Sequence, residues 1–397
     1  MELLQDTIQR FRKAFACEPR FLVTAPGRVN LLGDHTDYND GFVLPIAIDK
    51  KIIAAIGPRS DEEIHIHSVD YLDTYSTALD ELHFDRLKHW ANYPIGVINI
   101  IRETGARLGG LNLCFRGTIP IGSGLSSSAA VEIACLVAVT RLFGIEISAS
   151  DSIRLAQRAE AEFVGVNCGI MDQFVSVMGK RNHAVFLDCR SLHYEYIPFP
   201  FAYRIIVCDT GIRHELALSE YNQRRNECVV AVAHFRRVDP SITALRDVSL
   251  ELFQQEQANL HPVIRKRAHH VITENARVGQ GISALQRGEM SLFGKLMIDS
   301  HISLRDQYEV SCKELDTVVD SAVEAEGVLG ARMTGAGFGG CAICLVAEDS
   351  VDNAVDVIHT EYTAKRGSTP TITVVKLEEG ALIYDLRKAG LPVRVTD

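Results

Sequence analysis

The heptapeptide Gly122-Ser123-Gly124-Leu125-Ser126-Ser127-Ser128 stands between a strand-like run at 111–116 and an apolar helical run at 129–143. Two glycines one residue apart can take positive φ and bring main-chain N–H groups close to an anion. A helix starting near Ser127 adds unpaired N–H groups and the positive end of its dipole. That chemistry suits phosphate. A Gly/Ser turn with an N-capped helix is the plainer reading. Three consecutive serines favour phosphate, since a cap needs one hydroxyl. No P-loop lysine follows.

A second polar cluster lies nearer the N-terminus. Arg28 precedes Gly33-Asp34-His35-Thr36-Asp37-Tyr38-Asn39. Carboxylates accept pairs of hydroxyl hydrogens and imidazole donates or accepts, so the set could hold a polyol. Taken alone, the run is better read as a turn with Asx caps, which Asp34, Asp37, Asn39 and Asp40 could all supply. A metal site on adjacent residues is the weakest option. Further on, Asp172 falls in the first turn of a helix, off the face made by Ile170, Phe174 and Val177. The helix dipole favours its charged form there, and on the residues alone a solvated first-turn Asp is the better reading.

These residues need scaffolding. Leu4, Ile8, Phe11 and Phe15 recur at helical spacing. A strand at 21–25 leads into the polar loop, and 42–48 and 52–56 are further strand candidates. Residues 63–69 alternate as a half-buried strand, with His65 and His67 on its exposed side. Helices are expected after Trp90, after the serine run, from Ser150 or Asp151 to about Val164, and after Gly169. Residues 198–200 read as a linker. A strand at 204–209, a largely helical stretch at 219–323, and strands at 328–333, 341–347 and 371–377 follow, with a helix at 351–365. Strands and helices mixed in both halves imply α+β or α/β in two domains, 1–198 and 199–397.

The chain has 397 residues, a net charge of −10 and 47% hydrophobic residues. Acidity argues against nucleic acid or an anionic membrane as partner. The ten cysteines are scattered through apolar runs and read as small core residues, the Cys341-Ala-Ile-Cys344 pair included. The N-terminus lacks a signal-peptide core and no run approaches the ~18 apolar residues of a membrane span. A cytoplasmic protein is expected.

Taken in order, the motifs carry a resemblance. Residues 26–39 look like the galactokinase signature. Residues 122–129 resemble the phosphate loop of the galactokinase, homoserine kinase, mevalonate kinase and phosphomevalonate kinase superfamily. Residues 332–341 are similar to its third, glycine-rich motif, with Gly335, Gly337, Gly339 and Gly340. Residues 167–173, 219–225 and 300–306 also resemble galactokinase segments. One residue departs: the family usually has Glu where this chain has Asp34.

The resemblance implies a two-domain α+β sugar kinase with its active site in an interdomain cleft. It implies transfer of the ATP γ-phosphoryl to the anomeric hydroxyl of D-galactose. Asp172 and Arg28 become the catalytic pair. Asp34, His35, Asp37, Gly169 and Tyr221 become sugar residues. Gly122, Ser123, Gly124, Leu125, Ser126, Ser127 and Ser128 cradle ATP. Ser128 and Glu160 hold Mg²⁺, although spacing alone favours Glu132, four residues from Ser128 on one helix face. Asp172 is either a true base or an electrostatic partner. Trp90 suits either the adenine or the core. A kinase for a related sugar such as N-acetylgalactosamine, and a non-catalytic sugar and ATP sensor, stay open on sequence grounds. D-galactose and ATP are the expected partners, with a monomer as the working expectation.

Overall fold

A computed structural model describes residues 2–213, 217–388 and 391–396. Its larger sheet runs, edge to edge, Val393–Arg394, Leu382–Asp385, Phe21–Asn30, Pro45–Pro58, Leu111–Gly117, Glu63–Ser68, Asp73–Ala78. Neighbours are antiparallel except Glu63–Ser68, which lies parallel to Leu111–Gly117. Period-two alternation divides the strands between two faces. Ile52, Ala54 and Ile56 enter the main core with Phe21 and Val23. Leu22, Ile53 and Ala55 face the other way, where Ile8 and Phe11 of the helix Glu2–Phe15 cover them. On the main-core face pack the helices Asn92–Glu103, Ser127–Phe143, Ala149–Arg158 and Met171–Met178.

The second sheet has the order Val328–Met333, Cys341–Ala347, Tyr203–Asp209, Thr371–Val375, all antiparallel. Its faces divide in the same way. Ile205, Val207, Ile343 and Leu345 join the core of the first half. Ile206, Cys208, Cys344 and Val346 join a second core with Phe235, Val271, Leu315 and Tyr362. A hydrophobic seam therefore unites the two halves. A small sheet, Phe42–Val43, His183–Asp188 and Tyr194–Pro198, flanks the polar loop.

Four local expectations are revised. The two strands at 42–48 and 52–56 are one long strand, Pro45–Pro58 with a short Phe42–Val43 before it. The polar Asp49-Lys50-Lys51 interrupts the apolar pattern, and the pairing with Phe21–Asn30 jumps from Lys51 to Ala47 there, yet the strand continues. The cap of the helix Ala149–Arg158 is Ser148, whose Oγ accepts from Asp151 N at 3.0 Å. After Arg158 the helix widens into a π-helical stretch, Ala159–Val164, that carries Glu160. Finally, Leu382–Asp385 and Val393–Arg394 return to the first sheet, beside Phe21–Asn30. The division at 198/199 is kept as a proposal, with this returning segment assigned to the first unit. All ten cysteines are free thiols. Among the described residues no helix is long and apolar enough to cross a membrane.

Candidate active site

The strand Phe21–Asn30 shifts register between Pro26 and Arg28. The shift brings Arg28 N within 3.1 Å of Leu125 O in the glycine–serine loop. Gly27 is required there, since a Cβ would stand 2.6 Å from that oxygen. Arg28 then reaches across to the helix Met171–Met178. Its Nε and Nη2 donate to Asp172 Oδ1 and Oδ2, each at 2.8 Å, and Nη1 donates to Gly124 O at 2.6 Å. This planar two-point match is the strong form of an ion pair. Ser126 Oγ adds a third donor to Asp172, at 2.6 Å from Oδ2. Ser126 precedes the helix Ser127–Phe143 in left-handed backbone, at φ +62°, and does not cap it with its side chain.

Beside this pair lie two cavities. The larger, about 440 Å³, is lined by Gly122, Gly124, Ser126, Ser127 and Ser128 at one end. Tyr71, Trp90, Tyr93 and Pro94 are among the residues that line the rest. Tyr71 and Trp90 stack 5.9 Å apart at 15°. The side chains of Ser123 and Leu125 are buried and do not line it. The smaller cavity, about 190 Å³, is lined by every residue expected at a sugar: Asp34, His35, Asp37, Gly169 and Tyr221. Arg28, Asp172 and Ala336 line both.

The polar loop in the smaller cavity is heavily tied down. Asp34 is buried. Its Oδ1 accepts from Asn30 Nδ2 at 3.0 Å and its Oδ2 from the fully buried Arg332. Burial pushes its carboxyl up despite that cation. Both ring nitrogens of His35 are engaged, with Tyr38 OH at 2.8 Å and Ala336 O at 3.2 Å. Burial holds His35 well below the usual imidazole range. Burial, then the negative charge of Asp172, raises Asp37 to about 7. A Cβ on Gly169 would collide with Asp37 Oδ2.

Glu160 and Glu132 lie next to the serine run. The Ser128 hydroxyl lies close enough to the Glu160 carboxylate to favour its charged form. Gln173 Nε2 bridges the two acids, at 2.7 Å from Glu160 Oε2 and 3.0 Å from Glu132 Oε2. Glu160 is raised to about 6 by burial and then by Asp172; Glu132 is raised well above its ordinary value by burial and then by Glu160. Glu132 Oε1 has no partner. Among the described residues no group of three or more His, Cys, Asp or Glu side chains is placed to hold a metal ion. The third glycine motif presses on the loop from the other side. Cβ atoms at Gly335 and Gly340 would stand 2.8 Å from Gly124 O and Ser123 O.

Comparison with known proteins agrees with this layout. A galactokinase galactose-binding signature matches residues 9–58. The N- and C-terminal domains of the GHMP kinases match residues 92–180 and 282–364. Galactokinase of Clostridium beijerinckii is 43% identical over 385 residues, covering 96% of this chain and 99% of that protein. The chain belongs to the galactokinase family. Galactokinase of Roseiflexus is 42% identical over 372 residues, 94% of this chain and 95% of its own. The crystal structure of Lactococcus lactis galactokinase complexed with galactose superposes with a TM-score of 0.93 at 34% identity, covering 97% of this chain and all of that one. Mevalonate kinase of Methanococcus jannaschii, at 18% identity and a TM-score of 0.65, shares the fold. As in any galactokinase, ATP is the co-substrate the family implies.

Sequence reasoning missed several of this galactokinase-family site's residues. The serine run points Ser126 to phosphate, yet its hydroxyl goes to Asp172. In sequence Arg332 only opens the glycine-rich motif, whereas the fold makes it the partner of Asp34. Gln173 as a bridge between two acids had no local signal. Tyr71 and Tyr93 join Trp90 in an aromatic slot, which places Trp90 at a cavity rather than only in the core.

Proposed function

We propose that the chain transfers the γ-phosphoryl group of ATP to the anomeric hydroxyl of D-galactose, giving galactose 1-phosphate and ADP. The observation that carries this reading is the shared wall of the two cavities. Arg28 and Asp172 stand where a nucleotide in one would meet a sugar in the other. In-line transfer needs that juxtaposition and charge neutralisation more than covalent chemistry.

Asp172 takes the hydroxyl proton in this scheme. Its Oδ2 already accepts from Arg28 and Ser126, whereas Oδ1 accepts only from Arg28, leaving a lone pair for the sugar. Arg28 orients that carboxylate and adds positive charge beside the transferring group. Asp34, His35, Asp37, Gly169 and Tyr221 surround the sugar, with the Tyr221 ring offering a face to its C–H groups. The backbone of residues 122–128 cradles the phosphates, and the aromatic slot takes the base. The donor set also fits Mg²⁺: two buried acids with raised pKa and the partnerless Glu132 Oε1 lie beside Ser128. Ser128 and Glu160 would hold the ion with phosphate oxygens and water. When bound, it would neutralise charge on the phosphates. A cytoplasmic location and a monomeric state belong to the same proposal.

Assay with ATP, Mg²⁺ and a panel of free sugars tests the reading. Galactose 1-phosphate is the expected product, and a kcat/KM for galactose well below that for another aldose sinks the assignment. Asp172→Ala and Arg28→Ala each lower kcat by about 10² or more, as expected for a lost acid–base or charge-stabilising group. Near-normal kcat in Asp172→Ala removes that residue from the chemistry.

A further inference from the structure

Behind His35 the hydrogen bonds form a chain whose direction has one solution. Ala336 O can only accept, so His35 Nε2 carries the proton. In the neutral ring Nδ1 is then an acceptor, and the Tyr38 hydroxyl donates to it at 2.8 Å. With that proton used, Tyr38 accepts from the Tyr308 hydroxyl, also at 2.8 Å. Tyr308 in turn accepts from the Cys228 thiol at 3.1 Å. Asn39 Nδ2 closes the circuit, donating to Cys228 Sγ at 3.6 Å and to His35 O at 2.9 Å. Each polar hydrogen in the series has one acceptor. Packing holds the rings in place, since Tyr308 lies 4.7 Å from His35 and 4.6 Å from His270. Tyr308 ends a π-helical stretch, Leu304–Tyr308, and its own carbonyl accepts from Arg224 Nε at 2.8 Å.

The far end of the chain matters for the reaction. Ala336 lines both cavities, and its neighbour Gly335 packs on Gly124 O. We propose that Tyr38 and Tyr308 are positioning residues: Ala336 O sets the Nε2–H tautomer of His35, and the hydroxyl chain fills the bare Nδ1, so the ring is held where it ties the sugar loop to the third glycine-rich turn. The kinetic consequence rests on the reaction proposed above; the tautomer does not.

Tyr38→Phe, Tyr308→Phe and the double variant test it in the full chain. Both substitutions keep the ring and remove only the hydroxyl. Each single change raises the galactose KM about tenfold, the scale of one buried hydrogen bond, and leaves the ATP KM within about twofold. Because either break opens the same chain, the double variant is no worse than Tyr38→Phe alone. In ¹⁵N spectra of histidine-labelled protein, His35, assigned by its loss in His35→Gln, shows a bare Nδ1 and a protonated Nε2. Tyr38→Phe keeps the proton on Nε2, since Ala336 O still accepts it, and shifts the Nδ1 resonance because that nitrogen has lost its donor. A protonated Nδ1 in the unsubstituted protein, a galactose KM within about twofold, or additive effects of the two changes would overturn the proposal. If the unsubstituted chain makes no galactose 1-phosphate, the reaction assignment fails and the spectra still decide the tautomer.

Discussion

Asp37 shows how one residue can set a pH profile. Burial first, and Asp172 second, raise it to about 7, against an unfolded carboxyl near 3.9. The folded state therefore binds this proton more tightly than the unfolded chain. The stability it contributes is fully present below about pH 4 and is lost as pH rises through about 7. A carboxylate that accepts sugar hydroxyls works in the opposite sense, since only the ionised form accepts at both oxygens. We expect kcat/KM for galactose to rise with pH through a limb near 7. Asp37→Asn should abolish that limb and lower the plateau. Its melting temperature, relative to the unsubstituted protein, should increase between pH 5 and pH 8. A limb that survives in Asp37→Asn assigns it to another group. The residue types in this loop were legible in sequence, but their charge states were not. Those depend on Asp172, 135 positions away in the chain, and on burial that only the fold supplies.

At the scale of elements, the decisive contact is turn against turn. Gly335 has φ +82°, and a Cβ there would stand 2.8 Å from Gly124 O. Gly335→Ala should raise the ATP KM about tenfold and cost on the order of 1–3 kcal/mol in stability, through backbone strain and displacement of the phosphate loop. Gly367 is the control. It ends the helix Val351–Arg366 at φ +70° with nothing within 4 Å of an added Cβ. Gly367→Ala should lower the melting temperature and leave the ATP KM unchanged. An equal ATP KM in both variants removes the proposed link. The helix that follows the serine run was readable because glycine φ freedom and helix starts are local properties. The π-helical stretch at Ala159–Val164 was not, because one extra residue per turn leaves no mark in apolar periodicity.

For the whole molecule, the returning C-terminal segment is the structural tie. Leu382–Asp385 pairs along Phe21–Thr24, and Arg20 holds Asp385 with two hydrogen bonds. Ending the chain after Leu377 would bare the edge of the strand that carries Arg28, and an unpaired edge invites association. We expect that truncated chain to melt at least 10 °C lower or to aggregate, as judged by thermal unfolding and light scattering. A melting curve matching the full-length protein would show that the edge needs no cover. The shared core points the same way, since one face of the second sheet packs with the first half.

The sequence by itself determined the local chemistry: a glycine–serine loop opening a helix, an acidic loop after the first strand, and an α+β alternation. Backbone freedom, capping and side-chain period act over a few residues, so they can be read without a fold. The ordered resemblance added Arg28, Asp172 and the family. Tertiary structure alone decided which charges meet. Arg332 pairs with Asp34 across 298 positions, Gln173 spans two acids, and Ser126 serves Asp172. Such pairings are fixed by distance and desolvation in the folded core, where each buried charge must find its partner.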